Sequence, residues 1–523
     1  MKSLLIGGEW RQAQNPAGAF RAINPATGEA GDDVYPISST ADVEAALDAA
    51  HGSIPGLIKT PPESLADFLD LFASKILERN EELVETAHRE TALPEEPRLR
   101  LTELPRTTDQ LHQAASAVRD RSWCRATIDT RLNIRSKYGA LGGPVAVFGP
   151  NNFPFAFNSA GGGDFAAAIA AGNPVIAKAN PGHPGTTRIF AEIAHAGLIK
   201  CGLPPATVQL IYHLRPEDGF KLVSHPRLGA TAFTGSRPAG LRLKQAADLG
   251  GRPIYLEMSS VNPIFILPGA AKEKTEKIAS ELFHSCEMSA GQFCTKPGLV
   301  VVLRDESGEA FIESARRNFR PSPSGFLLGP NALEGIKKTL EIMTRSGAEI
   351  LTGGIPLEGP GFRFANTLLR VSGDAFIKKA EDMQREAFGP VSLVVSARDV
   401  EQLLDIAKAL DGTLTVSVYA SGADDALYAR LEPILRFKAG RLLNDKMPTG
   451  VAVTPAMVHG GPFPATGHPG FTSVGIPGSM LRFTALHGYD NVRQDRLPPE
   501  LRDKNPTGSM WRLIDGSWTQ KDI

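Results

Sequence analysis

Cysteine is scarce in this sequence. Four residues in 523, at positions 124, 201, 286 and 294, are too few and too scattered for a disulfide framework. Any special cysteine is then a free thiol, and a reducing, cytoplasmic setting is expected. Long apolar runs are missing as well. AAAIAAG, ending at Gly172, falls far short of the roughly 18 residues that span a bilayer. The opening MKSLLIGGEW has only three consecutive apolar residues before Gly7 and Gly8, which is no export signal. Neither sign of charge is in excess: 56 Lys and Arg stand against 57 Asp and Glu, so there is no electrostatic footprint for nucleic acid. Repeats and low-complexity tracts are absent, and the 52 glycines and 40 prolines read as turn punctuation. No cluster has metal-ligand spacing either. Cys286 and Cys294 are eight apart, and His183, His213, His225 and His459 are dispersed, so no metal is expected.

The chain does have enough apolar material, 42%, for a large core and for two or more domains. From about residue 144, short β-branched runs alternate with helical stretches. VAVFG (145–149), PVIAKA (174–179), VQLIY (208–212), ATAFTG (230–235) and PIYLEM (253–258) read as strands, with helical spacing over 184–200 and 237–249. This is the pattern of a parallel sheet with helices on both faces and a ligand site beyond the strand carboxyl ends. A second series, GLVVVL (298–303), VSLVVSA (391–397) and LTVSVYA (414–420), with helices near 331–346 and 398–410, predicts another α/β domain. IDTRLNIRSKYGALG (128–142) alternates polar and apolar residues and reads as an antiparallel hairpin with exposed edges, suited to an oligomer contact. The Gly- and Pro-rich tail from about 452 should run as an ordered loop over something else.

Several positions combine a reactive side chain with a telling place in this pattern. Cys294 lies in the small-residue loop SAGQFCTKPG, between a helix over 272–288 and the strand beginning at Gly298. A lone cysteine beside Phe293 is more often a small buried hydrophobe, so its partners decide. Glu257 ends a strand, where a carboxylate sits at the mouth of the crevice. Asn152, in the turn GPNNFPF, is held by prolines that aim its amide, although turn asparagines commonly bond their own backbone. Lys178 ends an apolar strand, a place where lysine suits a phosphate or hydroxyl. Gly235 and Ser236 join a strand to a helix in FTGSRPAG, where open backbone N–H groups would receive a pyrophosphate. This is not GxGxxG. Glu386, in REAFGP, can accept from ribose hydroxyls or simply face solvent.

Taken in order, NNFPF, VIAKAN, FTGSRPAG, LEMSS, GQFCTKPG and REAFGP resemble motifs of the aldehyde dehydrogenase superfamily across nearly the whole chain. The resemblance implies a Rossmann-type cofactor domain (1–126 and 143–258), an α/β catalytic domain (259–452), and an oligomerisation hairpin with a C-terminal extension (127–142 and 453–523). It implies NAD(P)-dependent oxidation of an aldehyde through a thioester on Cys294, with Glu257 as general base and Asn152 in the oxyanion hole with the Cys294 N–H. Lys178, Gly235, Ser236, Glu386 and Phe388 become cofactor contacts, and a homodimer or homotetramer is expected. Phe155, Phe293 and Phe471 are apolar liners for the substrate, or ordinary core aromatics. SSVNPIFILPGA, NPGHPGTT, MPTGVAVTPAMVHGGPFPAT and LRDKNPTGSMWRLIDGSWT are similar to the α-ketoglutarate semialdehyde (2,5-dioxovalerate) dehydrogenases and the bacterial NADP-dependent fatty aldehyde dehydrogenases. A semialdehyde substrate follows from that likeness, with a long-chain aldehyde as the alternative.

One departure bears on the cofactor. NAD-preferring relatives carry a glutamate three residues after the strand lysine, where it repels a 2′-phosphate; here that position is Pro181. NADP is therefore expected, with NAD possible, and Asn180 and Arg215 are the candidates to receive the phosphate, the arginine through its fork of donors. The same subgroup often has histidine where Asn180 stands. Two rival readings share the fold: a coenzyme A-acylating relative, against which Glu257 argues, and a catalytically silent binding protein, against which the intact Cys294, Glu257 and Asn152 argue.

Overall fold

The computed structural model describes residues 1–320 and 325–523. Five of the expected strands lie side by side and parallel, in the order Ile254–Glu257, Ala230–Thr234, Val145–Phe148, Val175–Lys178, Val208–Ile211. Helices cover both faces, which is why these strands read as continuous apolar runs rather than alternating ones. The helices over 184–200 and 237–249 form as Pro184–Lys200 and Arg237–Leu249. From Val145–Phe148 the chain winds outward through two strands, then returns to the other side at Ala230–Thr234. This reversal opens a crevice beyond the carboxyl ends of those two strands.

The first 126 residues, which the sequence pattern left without named elements, add two short strands and a helical layer. Leu4–Ile6 pairs antiparallel with Val208–Ile211 and with Glu9–Arg11, extending the sheet to seven strands. The helices Thr40–Lys59, Pro62–Glu78, Asn80–Thr91 and Leu104–Asp120 follow. Ser39 and Asp42 cap the first of these reciprocally, each accepting from the other's backbone N–H. Phe68, Phe72, Phe165 and Phe190, all fully buried, pack the helical layer onto the sheet.

A second seven-stranded sheet runs in the order Glu349–Thr352, Thr367–Ser372, Val391–Ala397, Leu299–Leu303, Pro263–Ile266, Thr413–Tyr419, Ala439–Asn444. All its pairings are parallel except that of Glu349–Thr352. The fold is thus mixed α/β with Rossmann-like parallel sheets, as expected.

The hairpin forms too, from Thr127–Asp129 and Ile134–Ala140, but its edges are not free as the sequence suggested. Thr484–Asp490 pairs along one and Arg512–Ile514 along the other, and with Ser517–Thr519 they complete a five-stranded sheet. The partners come from the chain's own carboxyl end, more than 300 residues away, as the Thr130–Asp515 contact across 385 residues shows. Among the described residues no helix is long and apolar enough to cross a membrane.

The Gly- and Pro-rich tail lies across the end of the first sheet. The Met258 N–H donates to the Ala465 carbonyl at 2.7 Å, and the Gly467 N–H to that of Leu256 at 3.2 Å. Its glycines permit close packing: a Cβ on Gly460 would stand 2.4 Å from the Phe471 carbonyl oxygen. The tail therefore folds back on itself directly beside Glu257.

Candidate active site

Cys294 follows the helix Pro268–Glu287 and a tight turn. Ser289 and Ala290 in this turn adopt left-handed φ of 50° and 52°, a conformation that costs roughly 1–2 kcal/mol per non-glycine residue. Several side chains hold the loop in place against that cost. Gln292 donates to the Ser289 and Phe326 carbonyls and accepts from the Leu328 N–H. Arg98 Nε donates to Ser289 Oγ at 3.2 Å, and its Nη2 donates to the Asn152 carbonyl at 2.9 Å. Arg98 also pairs with the buried Glu103, whose other oxygen accepts from the Phe155 and Ala156 N–H groups. One guanidinium thus ties the cysteine loop to the asparagine turn. The Cys294 thiol is left partly exposed.

Glu257, at the carboxyl end of its strand, is buried, as is Asn152. Asn152 Nδ2 donates to the Gln292 carbonyl at 2.9 Å, which places the amide against the cysteine loop. The residue that joins the site together is His459, from the tail. Its Nε2 lies 3.4 Å from Cys294 Sγ and 2.9 Å from Glu257 Oε1, while Ser473 Oγ donates to Glu257 Oε2 at 2.7 Å. One ring nitrogen therefore serves both the sulfur and the carboxylate. Burial and the lack of a partner for Nδ1 oppose a charged imidazole. The adjacent Glu257 carboxylate and Cys294 sulfur outweigh them and raise the His459 pKa to about 10. For Glu257, burial alone would raise the pKa; the histidine charge and its hydrogen bonds, with the Ser473 hydroxyl, hold it below the usual carboxylate range. Metal-type spacing is absent from the sequence, yet in space the donor atoms of Glu257, Cys294 and His459 lie within 4.8 Å of one another. The ion pair and the shared N–H account for this convergence.

Residues 10–461 match the family described as "Aldehyde dehydrogenase family". Two curated relatives are similar over nearly the full length. They are alpha-ketoglutaric semialdehyde dehydrogenase 2 of Azospirillum brasilense, 37% identical over 98% of both chains, and alpha-ketoglutaric semialdehyde dehydrogenase of Acinetobacter baylyi, 36% identical over 92% of both. The chain belongs to the aldehyde dehydrogenase family. Among solved structures, aldehyde dehydrogenase C of Pseudomonas syringae, crystallised with NAD+ and octanal, superposes with a TM-score of 0.78 at 20% identity, over 94% of this chain and 96% of that one. The fold is the same. The chain is an enzyme, and its family chemistry is the oxidation of aldehydes.

Around the crevice of this aldehyde dehydrogenase, the other sequence-nominated residues divide. Lys178 reaches the end of its strand with its ammonium 5.8 Å from the Phe148 ring centre. Burial, with no carboxylate beside it to hold the proton, lowers its pKa to about 8. Ser236 caps the helix Arg237–Leu249 only through its backbone, so its hydroxyl stays free at that helix N-terminus. Gly235 differs from expectation. Its N–H donates to the Glu257 carbonyl at 3.1 Å and is not open for a pyrophosphate, because the strand end carrying Glu257 lies directly beside it. The glycine is still required there, since a Cβ would meet the Phe233 ring at 2.8 Å. Asn180 is likewise engaged: its amide donates to the Gly149 carbonyl and accepts from the Gly182 N–H, bracing two loops. Arg215 is largely exposed, with its Nε on Asp218 and Glu217. Glu386 turns inward to Ser259 and the Ser260 backbone; burial raises its pKa to about 7, against the lowering effect of Lys296. Phe388 is half-buried nearby in the chain.

The three nominated aromatics also separate. Phe293 forms an edge contact with Phe153, and both line a cavity of about 760 Å³ that borders the cysteine loop. Phe155 does not line it. It is fully buried against Phe190, because the chain turns over 154–157 and leaves Phe153 and Phe157 on one side and Phe155 on the other. Phe471 packs on Tyr255 and His468, in a small pocket that Glu257 also lines.

Sequence reasoning missed His459, Ser473 and Arg98. The signal available for His459 was faint: a histidine before a Gly-Gly pair in a tail already expected to cover something. Its charge makes a checkable prediction. A histidine pKa raised above 6.5 contributes stability that is complete below pH 6.5 and lost as the pH rises toward 10. Glu257, with its pKa depressed, contributes above pH 4.5 and loses its contribution as the pH falls further. Thermal unfolding of the parent and of His459→Gln should therefore differ most near pH 5 to 6.5 and converge toward pH 10. A difference independent of pH would mean that the buried ring carries no charge.

Proposed function

We propose that this enzyme oxidises an aldehyde carrying a second polar group, of the α-ketoglutarate semialdehyde type, to the carboxylic acid through a thioester on Cys294. The observation that supports it most is the meeting of Cys294, His459 and Glu257 beside the Asn152 amide. This meeting supports the reading of a nucleophile, a proton-handling pair and an oxyanion donor at one crevice mouth. The semialdehyde class rests on the two full-length relatives that carry that name.

In this mechanism the sulfur attacks the aldehyde carbon as a thiolate. His459 Nε2 stands 3.4 Å from that sulfur, within reach of the proton the thiol gives up. The alkoxide that forms is held by Asn152 Nδ2 and the Cys294 N–H, a kind of contact worth about 2.7–4 kcal/mol per donor. A nicotinamide dinucleotide bound in the crevice supplies the hydride acceptor. The Lys178 ammonium and the uncapped helix end at Ser236 fit a polyhydroxylated, phosphorylated ligand. Glu386, Phe388 and Arg215 are the further contacts assigned to it in this reading, and with Pro181 leaving a 2′-phosphate unopposed, NADP is the preferred form. The thioester carbon is then attacked by water, whose proton passes to Glu257, and the acid leaves as the thiol is restored.

The domain roles follow the sheets, with cofactor binding in 1–126 and 143–258 and catalysis in 259–452. The hairpin 127–142 and the extension 453–523 serve assembly as a dimer or tetramer in the cytoplasm, the extension also lending His459 and Ser473 to the site. A spectrophotometric assay at 340 nm tests the whole reading: 2,5-dioxopentanoate should give one NADPH per acid formed, faster with NADP+ than NAD+. No reduced cofactor with any of a panel of semialdehydes and aliphatic aldehydes would sink it.

A further inference from the structure

Two arginines beside the site hold charge without a partner. Arg106, on the helix Leu104–Asp120, lines the cavity of about 760 Å³ together with Phe153 and Phe293. Its guanidinium lies over the Phe153 and Phe157 rings, 5.3 and 5.1 Å from their centres, and its Nε and Nη2 are buried without a hydrogen-bond partner. Arg441, on the edge strand Ala439–Asn444, reaches Met457 Sδ at 3.4 Å with Nη1, while its Nε and Nη2 are also buried and unpartnered. Met457 packs against the same cluster of Phe153, Phe157 and Phe293. Both guanidiniums are close enough to Cys294 to act on it electrostatically, and among the described residues neither has an ion-pair partner.

This contrasts with Arg98, a few ångströms along the same cavity wall, whose donors reach Glu103, Asn152 and Ser289. Taking an unpaired charge out of water is costly, and ring faces offset only part of that cost. Four buried N–H-bearing nitrogens on two such side chains, which meet the same aromatic cluster from different elements, form half of an anion site. A long apolar chain against the Phe153, Phe157 and Met457 cluster that the two side chains touch would leave both cations unpaired. A carboxylate would satisfy them with forked, charge-assisted hydrogen bonds.

The geometry points to Arg106 and Arg441 as the receptor for a carboxylate at the end of the substrate opposite the aldehyde, which selects short ω-oxo acids over aliphatic aldehydes of equal length. This assignment rests on the proposed aldehyde oxidation and names the group that makes a semialdehyde the preferred substrate.

The test compares 5-oxopentanoate with pentanal, which differ at the far end alone, in the full-length enzyme and its Arg106→Met and Arg441→Met variants. Truncating one side of a desolvated charge pair should lower kcat/KM for 5-oxopentanoate by about 30-fold or more and leave pentanal within about threefold. Arg106→Lys, which keeps the charge but not the fork, should recover part of the loss and guards against a misfolded methionine variant. Equal losses on both aldehydes, or none on either, would overturn the receptor. Glutarate binding by calorimetry gives an answer independent of turnover. If no aldehyde is oxidised but glutarate binds and loses affinity in the variants, the receptor stands and the proposed reaction falls. Glutarate binding that is absent, or unchanged in the variants, removes the receptor whatever the enzyme oxidises.

Discussion

Replacing Cys294 with alanine should reduce aldehyde oxidation by roughly 10⁴- to 10⁶-fold, the scale seen when a covalent nucleophile is removed from a site whose other groups remain. Cofactor binding should survive, because Lys178 and Ser236, the contacts proposed for it, stand at a strand end and at a helix N-terminus and, among the described residues, share no hydrogen bond with the sulfur. The fold should survive as well. The thiol is partly exposed and, among the described residues, its one polar partner is His459 Nε2, which keeps Glu257 when the sulfur is gone. Intrinsic fluorescence quenching by NADPH, measured beside the 340 nm assay, separates the two effects. Retained turnover would take the thiol out of the chemistry, and lost cofactor binding would mean that the loop carrying it shapes the nucleotide site.

The second large effect concerns release of the acid. Glu257→Gln keeps the shape and one hydrogen bond of the carboxylate but removes its capacity to take a proton. Loss of a positioned general base typically costs about 10²- to 10⁴-fold. In the proposed mechanism the base acts after hydride transfer, so the variant should show a burst of reduced cofactor close to one per site, then a slow steady state. Mass spectrometry of the quenched protein should find the acyl group on Cys294. The same substitution removes the negative charge that sustains a protonated His459, so the slow phase should also lose its response to pH between about 6.5 and 10. Burst-free turnover at the parent rate would assign deprotonation of water to another group. His459 would be the first alternative, with Glu257 and Ser473 acting as its orienting partners.

Much of the architecture was legible in the sequence because its signals are local. A buried parallel strand must be apolar at every position, so VAVFG, PVIAKA and VQLIY stand out, and the helices over 184–200 and 237–249 follow from their spacing. Motifs at strand ends mark chemistry for the same reason: Glu257 and Lys178 close apolar strands, where a charge has no use unless it faces a crevice. The order of these strands and motifs pointed to the family and nominated Cys294, Glu257 and Asn152 for its chemistry. Tertiary structure decided the rest, since it depends on contacts between distant segments. His459 meets Glu257 across 202 residues and Cys294 across 165, and no periodicity records that the tail returns there. Phe155 and Phe153 are indistinguishable in NNFPF, but the turn of the backbone sends one into the core and the other to the cavity. Gly235 and Asn180 looked open until neighbouring loops claimed their polar groups. Arg106 and Arg441 show the same limit from the other side: a surface-type residue in the sequence becomes an unpartnered buried cation only once helix, strand and tail have packed around it.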